Sequence, residues 1–225
     1  MKWKLDQFDT ALFGVPSFKS TSPLMSEGKG FFTCFVSVDP ATSATLSDHG
    51  FRLISIRNTY ALHDATHVLS KDSDVTIEEF KGTGKVMDEE MTQIGKAIWE
   101  FSRYRRDSEI PVKQSLSLYK TWVENSLYHG YADKCLVAMS GKKIVGLCTV
   151  KIKESDGYID LLGVLPEHQR KHIGSHLIDS AITYLRKRAK RILVVTEGEN
   201  IPANRLYQSK GFVIGNVELV YHKHV

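Results

Sequence analysis

The spacing of apolar residues changes period once, sharply, in the second half of the chain, and that change restricts what the segment can become. Tyr158 to Val164 is almost continuously apolar, the pattern of a strand buried on both faces. After Pro166-Glu167-His168-Gln169-Arg170-Lys171-His172, the residues Ile173, Leu177, Ile178, Ala181, Ile182 and Leu185 recur at helical spacing. The helix they predict ends in Arg186-Lys187-Arg188, whose charge complements the negative end of the helix dipole. A strand that turns into a helix leaves the first helical amides unpaired and pointing outward, with the positive end of the dipole behind them. A pyrophosphate fits such a site. Gln169, Arg170, Lys171 and His172 add donors and positive charge, while Gly174 and Ser175 leave room for phosphate oxygens near the main chain. Taken alone, the spacing Gln-x-x-x-x-Gly is also what a purely structural turn would show.

The remaining pattern is that of an α+β chain. Phe31 to Val38 reads as a strand, Asp39-Pro40 opens a short helix ending at His49-Gly50, and Phe51 to Leu62 reads as another strand. The polar stretch His63 to Asp74 is the expected linker, dividing the chain into a small N-terminal α+β domain at residues 1–73 and a second domain at 74–225. In the second domain Val75 to Phe80 is a strand candidate. Two amphipathic helices follow, marked by Met87, Met91, Ile94, Ile98 and Phe101 and then by Leu116, Tyr119, Val123 and Leu127; such stripes read as core. Lys134 to Met139 and Ile144 to Ile152 form a hairpin about Gly141-Lys142. Strand Ile192 to Thr196, helix Ala203 to Ser209 and a strand pair from Phe212 to Tyr221 complete the domain. Thr45-Leu46-Ser47-Asp48-His49-Gly50-Phe51 and Leu206-Tyr207-Gln208-Ser209-Lys210-Gly211-Phe212 are alike. They are either a faint internal repeat or, more simply, one common helix end used twice.

Composition excludes several classes of function. With 225 residues, 42% of them hydrophobic, the chain can bury a core without metal or disulfide staples. Its 30 basic and 26 acidic residues are interspersed, for a net charge of +4. That suits an anionic small molecule and lacks the basic stripe of a nucleic-acid binder. Met1 to Asp9 holds no apolar run, and no stretch approaches the ~18 apolar residues of a membrane span, so a soluble, cytoplasmic protein without membrane insertion is expected. Cys34, Cys135 and Cys148 match no metal-ligand spacing and are expected reduced. A two-residue turn at Gly141-Lys142 would set Cys135 opposite Cys148, near enough to crosslink if oxidised.

Gly157 to Arg188 resembles the acyl-CoA-binding motif of the GNAT N-acetyltransferase superfamily. The family turn reads Gln/Arg-x-x-Gly-x-Gly/Ala; here it is Gln169-Arg170-Lys171-His172-Ile173-Gly174, with His172 in place of the first glycine. Asn200-Ile201-Pro202-Ala203-Asn204-Arg205-Leu206-Tyr207-Gln208-Ser209-Lys210-Gly211-Phe212 resembles the family's Asn-x-x-Ala-x-x-Leu-Tyr-x-x-x-Gly-Phe. A narrower resemblance is to the bacterial dTDP-fucosamine acetyltransferase group. It rests on the order of Leu12-Phe13-Gly14-Val15, Ser102-Arg103-Tyr104-Arg105, Trp122-Val123-Glu124-Asn125 and Cys135-Leu136-Val137.

These resemblances imply a GNAT fold, α/β (α+β), with a central mixed, mostly antiparallel sheet flanked by helices and preceded by the small N-terminal domain. They imply acetyl-CoA as co-substrate and no metal. Coenzyme contacts would come from Leu162, Val164, Gln169, Arg170, Lys171, His172, Ile173, Gly174, Ser175, Asn200, Ala203 and Asn204. The amide of Val164 would bind the thioester oxygen, and Tyr207 would approach the CoA sulfur as the catalytic residue. The implied acceptor is the 4-amine of a dTDP-linked 4-amino-4,6-dideoxyhexose destined for surface polysaccharide, entering between the domains. Phe13, Arg103, Tyr104 and Arg105 would line its path, although Arg103 and Arg105 fit a helix-end role equally well. Glu154, Asp160, Glu197, Glu199 or a water chain would serve as base. A protein amine, a polyamine or an antibiotic remains an alternative acceptor, and the departure at His172 is what a non-catalytic CoA-binding module would show. Monomer and homodimer both remain open.

Overall fold

The computed structural model describes residues 3–22, 28–62, 74–82 and 89–225. Among the described residues, ten strands form one mixed sheet in the order β1-β2-β3-β10-β4-β9-β8-β7-β6-β5. In chain order they are β1 (Lys4–Leu5), β2 (Ser17–Ser20), β3 (Phe31–Ser37), β4 (Arg52–Leu62), β5 (Thr76–Glu79), β6 (Lys134–Ser140), β7 (Lys143–Lys153), β8 (Asp156–Val164), β9 (Arg191–Glu197) and β10 (Phe212–His224). The helices are α1 (Gln7–Phe13), α2 (Pro40–Asp48), α3 (Glu89–Trp99), α4 (Arg103–Arg106), α5 (Val112–Tyr128), α6 (Ile173–Leu185) and α7 (Ile201–Ser209).

Local chemistry sets the helix ends. Asp6, Asp39 and Asn200 each accept a hydrogen bond from an amide three residues on, capping α1, α2 and α7. Gly50 and Gly211, at φ 78° and 85°, end α2 and α7 in the left-handed region and turn the chain into Phe51 and Phe212, both buried. All six residues that predicted α6 are at most 3% exposed. In α5 the buried line is Ser115, Leu118, Tyr119, Val123 and Ser126, so Leu116 and Leu127 of the expected stripe lie at its margin. Met87 lies outside the described residues, whereas Met91 and Ile94 are wholly buried.

The packing places helices on both faces of β7 and β8. A side chain at Gly146 would meet Leu177 of α6 and one at Gly163 would meet Ile94 and Ile98 of α3, and Gly146 faces Val164, the neighbour of Gly163. β8 alternates between buried and half-buried positions, so it is not buried on both faces. The reason is that Leu162 and Val164 look into a cavity where a fully packed strand would meet another layer.

Two further expectations are corrected by register. Met139 faces Ile144 and Ser140 faces Lys143 as a two-residue turn requires, but a bulge then shifts the ladder so that Ala138 faces Gly146. Cys135 is therefore opposite Thr149, Cys148 is opposite Leu136, and all three cysteines are free and buried. Phe212 to His224 is one long strand, because the bulge at Gly215 bends it without ending it. The linker expected at His63–Asp74 lies, apart from Asp74, outside the described residues. On either side of it the strands belong to one sheet, with β4 between β10 and β9.

Behind α4 the fold is tied by a buried carboxylate. Asp107 Oδ2 accepts from His222 Nδ1 at 2.7 Å and His224 Nε2 at 2.8 Å, while Oδ1 accepts from Arg52 at 3.2 Å and the Glu109 amide at 3.0 Å. A carboxylate only accepts, so each imidazole carries its proton on the nitrogen facing it. Burial penalises the charged Asp107, yet these donors outweigh it and hold its pKa well below the ordinary range. Burial pushes His222 down to about 4. In the unfolded chain that imidazole takes up a proton at its ordinary 6.5, so stability is lost as pH falls from 6.5 towards about 4. Urea unfolding should show a lower midpoint near pH 5 than near pH 7, and His222→Asn should remove much of that difference. An unchanged slope in the variant would exclude His222 as its source.

Candidate active site

At the end of β8 the chain makes a short 3-10 turn, Pro166–His168, and then the residues Gln169 to His172 before α6. Gln169 donates back to the Val164 carbonyl at 3.2 Å, holding the turn against the strand it leaves. Arg170 and His172 both have left-handed backbones, φ 60° and 59°. A side chain in that region is strained, and two such residues in one turn mark a backbone held in place by its surroundings. His172 thus keeps the backbone that a glycine would adopt. The first helical bond runs from His176 N to His172 O, so the amides of Ile173, Gly174 and Ser175 precede it and are free of intrahelical partners. Gly174 also serves the packing of the helices: a Cβ there would meet Leu206 at 3.2 Å, so glycine lets α6 approach α7.

A cavity of about 590 Å³ lies between this turn, the end of β8, the start of α7 and the end of α3. Leu162, Val164, Gln169, Arg170, His172, Ile173, Gly174, Ser175, Asn200 and Ala203 all line it. Ala97 and Ile98 of α3 and Phe101 just beyond it close the cavity on another side and were not expected there; the helical spacing of Ile98 and Phe101 gave only a core signal, and Ala97 gave none. Lys171 is exposed and is not among the lining residues. Asn204 is buried behind the cavity. Its amide donates to the carbonyls of Glu197, Gly198 and Asn200, and its oxygen accepts from Asn58 at 3.0 Å and Tyr60 at 2.8 Å. Its hydrogen-bonding capacity is used inside the protein.

β8 and β9 run parallel and pair only from Asp156–Arg191 to Ile159–Val194. Beyond these residues β8 pairs with β7 and β9 with β4, so the two edges part beside the cavity. Tyr207 is not among the residues lining the cavity, although its neighbour Leu206 is; it is 4% exposed, its ring 5.9 Å from Tyr60 and 6.0 Å from Phe212. Burial raises its pKa, and the nearby Cys148 and Tyr60 raise it further. The buried ion pair Lys210–Asp179, at 2.8 Å, joins the end of α7 to α6. Removing one partner of such a pair typically costs about 3–5 kcal/mol, so it fixes the helices that carry the turn and the tyrosine.

On the side of the sheet covered by α1, α4 and α5, charges gather around Arg103. Its guanidinium donates to the Tyr104 hydroxyl at 2.6 Å, lies 3.7 Å from Glu197 and sits over the Tyr104 and Phe35 rings. Burial opposes its charge, but Tyr104, Glu197, Tyr119 and Asp9 keep its pKa above the ordinary value. Tyr104 in turn donates to Asp9 at 2.9 Å, and Phe13 packs 5.8 Å from the Tyr104 ring. Arg105 is not part of this group; it is exposed and pairs with Glu100. Of the four carboxylates considered as bases, Glu154 is exposed in the β7–β8 turn, while Glu197 and Glu199 both contact the Ser55 hydroxyl. Asp160 sits at the bulge of β8, where the strands part, with Trp122 Nε1 donating to it at 3.2 Å. Burial raises its pKa, opposed by Trp122 and by Lys151 and Lys153.

The strained turn gives a direct expectation. A left-handed residue with a side chain costs roughly 1–2 kcal/mol, and glycine's extra freedom in the unfolded chain returns roughly 0.5–1 kcal/mol of that. His172→Gly should therefore raise the thermal midpoint slightly. A clear fall would show that the exposed imidazole makes a stabilising contact of its own.

Residues 96–212 match the family described as Acetyltransferase (GNAT) family. An N-alpha-acetyltransferase 30 from Xenopus laevis is 31% identical over 101 residues, 42% of this chain and 37% of that protein. A mycothiol acetyltransferase from Beutenbergia cavernae is 35% identical over 97 residues, 41% of this chain and 30% of that one. The match thus spans about a third of the length of these curated relatives. A crystal structure of a GCN5-related N-acetyltransferase from Sphaerobacter thermophilus superposes with a TM-score of 0.58 at 16% identity, covering 88% of this chain and 61% of that one. With more than half of its length matched, and with the mixed sheet and flanking helices of that fold, this chain belongs to the acetyltransferase (GNAT) family.

Proposed function

We propose that this protein transfers an acetyl group from acetyl-CoA to a primary amine. The observation that carries the reading is the junction of three features at one place: free amides at the start of α6, a cavity of about 590 Å³ beside them, and the gap where β8 and β9 part. Diphosphate oxygens would accept from the amides of Ile173, Gly174 and Ser175, with Arg170 and His172 beside them. The pantetheine arm would lie in the gap along Leu162 and Val164, where a main-chain amide such as that of Val164 can receive the thioester oxygen as it becomes negative.

Three groups of this chain then divide the chemistry. Asp160 takes the proton as the amine nitrogen bonds to the thioester carbon, and its raised pKa suits a base better than an ordinary aspartate. The amide on the β8 edge stabilises the tetrahedral oxyanion. Tyr207 hydrogen-bonds to the sulfur as the carbon–sulfur bond breaks. Burial raises its pKa, which makes full proton donation to the departing thiolate, whose thiol has a pKa near 8.5, uphill, so the hydrogen bond is its main contribution.

For the acceptor we propose the 4-amine of a dTDP-4-amino-4,6-dideoxyhexose. The reading is supported by the order of the matching segments along the sequence and by the aromatic groups that gather at Asp160: Trp122, which donates to it, Tyr119, which packs on Trp122, and Tyr131, which feels both Asp160 and Asp9. Phe13, Arg103 and Tyr104 would contribute from the N-terminal side, residues 1–73 acting as an acceptor-binding unit. The names of the two curated relatives favour a second reading, acetylation of a protein N-terminus or of a mycothiol precursor amine.

Calorimetry should detect CoA binding to the intact chain, and Tyr207→Phe and Asp160→Asn should retain it while lowering kcat by about 10²-fold or more. Absence of CoA uptake would end the proposal, and full turnover by either variant would remove that residue from the mechanism. Among amines tested by thiol release, dTDP-4-amino-4,6-dideoxygalactose should turn over faster than N-terminal peptides or cysteine conjugates. Preference for either of the latter would replace the sugar reading.

A further inference from the structure

The ladder between β4 and β10 is symmetric about one pair, Arg57 and Glu218. Asn58–Val217 on one side has its image in Ile56–Leu219 on the other, Thr59–Asn216 in Ser55–Val220, Tyr60–Ile214 in Leu53–Tyr221, and Ala61–Val213 in Arg52–His222. One rule generates every image: residue n of β4 corresponds to residue n + 161 of β10. The irregularities obey the same rule, since the ladder skips Gly215 in β10 and Ile54 in β4. Neighbouring strands continue it with an offset of 160. Phe32–Lys223 corresponds to Ile192–Leu62, and Ser37–Glu218 to Glu197–Arg57. Farther out, β2 pairs with β3 in parallel from Ser17–Phe31 to Ser20–Cys34, just as β8 pairs with β9 from Asp156–Arg191 to Ile159–Val194. The helices agree as well, with Asp39 capping α2 where Asn200 caps α7, and Gly50-Phe51 ending it where Gly211-Phe212 does. An antiparallel ladder always maps onto itself in this way, but here the offset of 161 that relates the two bulges also relates Asp39 to Asn200 and Gly50 to Gly211, and a shared helix end cannot account for that agreement.

We infer that residues 17–62 are a second copy of the unit built from β8, β9, α7 and β10, exchanged into its sheet, emptied of chemistry, and kept to position Tyr207 through Tyr60. Its emptiness is visible residue by residue. Leu46 stands where the active copy has Tyr207, and Ser43 where it has Asn204. Residues 21–30 separate β2 from β3, whereas residues 165–190, α6 included, separate β8 from β9.

Tyr60 is the point of contact with the chemistry. It is 1% exposed, its ring packs 5.9 Å from that of Tyr207, and its hydroxyl donates to Asn204 Oδ1 at 2.8 Å. Asn204 in turn holds the three carbonyls of the loop entering α7. The symmetry supplies an internal control, because the image of Tyr60 is Tyr221. Tyr221 is 3% exposed and packs in the cluster with Leu46, where there is no chemistry to position.

The test compares Tyr60→Phe with Tyr221→Phe in the full chain and rests on the reading of Tyr207 given above. Both variants should bind CoA as the natural chain does. Using acetyl-CoA and dTDP-4-amino-4,6-dideoxygalactose, Tyr60→Phe should lower kcat roughly five- to ten-fold, about the worth of one hydrogen bond, without changing KM for acetyl-CoA. Tyr221→Phe should leave kcat unchanged. Equal kcat in the two variants, or a Tyr60→Phe defect confined to KM, would overturn the positioning role. Full activity in Tyr207→Phe would instead sink the reading beneath it. Independently of turnover, amide hydrogen exchange of the natural chain should put β3 and β4 in the same slow class as β9 and β10; earlier, separate opening of residues 17–62 would overturn the exchanged copy.

Discussion

The parallel pairing of β8 and β9 stops after four residues on each strand, and the site depends on that stop. Main-chain groups beyond it would be costly if buried without partners, so the gap must either be filled by side chains or left for something that can hydrogen-bond there. Neither strand can close the gap alone. β8 is pulled towards β7 by a ladder that continues to Val164, and β9 is held by β4 from Leu62–Ile192 to Arg57–Glu197. The bulge at Asp160 bends β8 at the place where the two directions diverge. The opening is therefore a product of competing partners on the two outer edges, and it is rigid because both ladders are long.

That arrangement makes the N-terminal segment part of the site's framework. Without β4, the outer edge of β9 and the inner edge of β10 would both be unpaired, and the loop from Glu197 to Asn200 would lose Ser55, Asn58 and Tyr60 as anchors. The buried charges follow the same plan. Arg103 and Asp107 belong to one short helical connection, yet their partners come from β4, β9, β10 and α1. Taking either charge out of water is tolerable only with several partners at once. The connection is thereby fixed over the sheet, along with Tyr104 and the wall it forms.

Short-range signals explain what the sequence revealed and what it withheld. α6 was legible to the residue because a helix with one buried face repeats its pattern every turn. The turn before it was legible because its chemistry is local, and ten of the twelve expected coenzyme contacts do line one cavity. Lys171 and Asn204 departed from expectation for opposite reasons: one side chain faces solvent, and the other spends all its hydrogen bonds on main chain and on β4. The register of β6 and β7 was not legible, since Ala138 and Gly146 give no hint that one residue will be skipped. Nothing local in Trp122, Ser55 or Asp107 announces partners 38, 142 or 115 residues away.

The same limit explains why the repeated helix end looked trivial in the sequence. Two copies that share a backbone plan need not share side chains, and Leu46 stands in one where Tyr207 stands in the other. What remains alike is what packing and geometry require: an oxygen-bearing cap, a glycine that can take a positive φ, and an aromatic residue turned into the core. These are the commonest features of any strand-helix-strand unit, so their recurrence carries little information. What does carry information is a common offset: 161 residues separate Ile54 from Gly215 at the bulges and also Asp39 from Asn200 at the caps and Gly50 from Gly211 at the helix ends, and β3 and β9 keep it to within one residue. The repeat therefore rests on the agreement of one offset between ladder and helix, and the bulges that supply half of that agreement belong to the folded chain rather than to any stretch of its sequence.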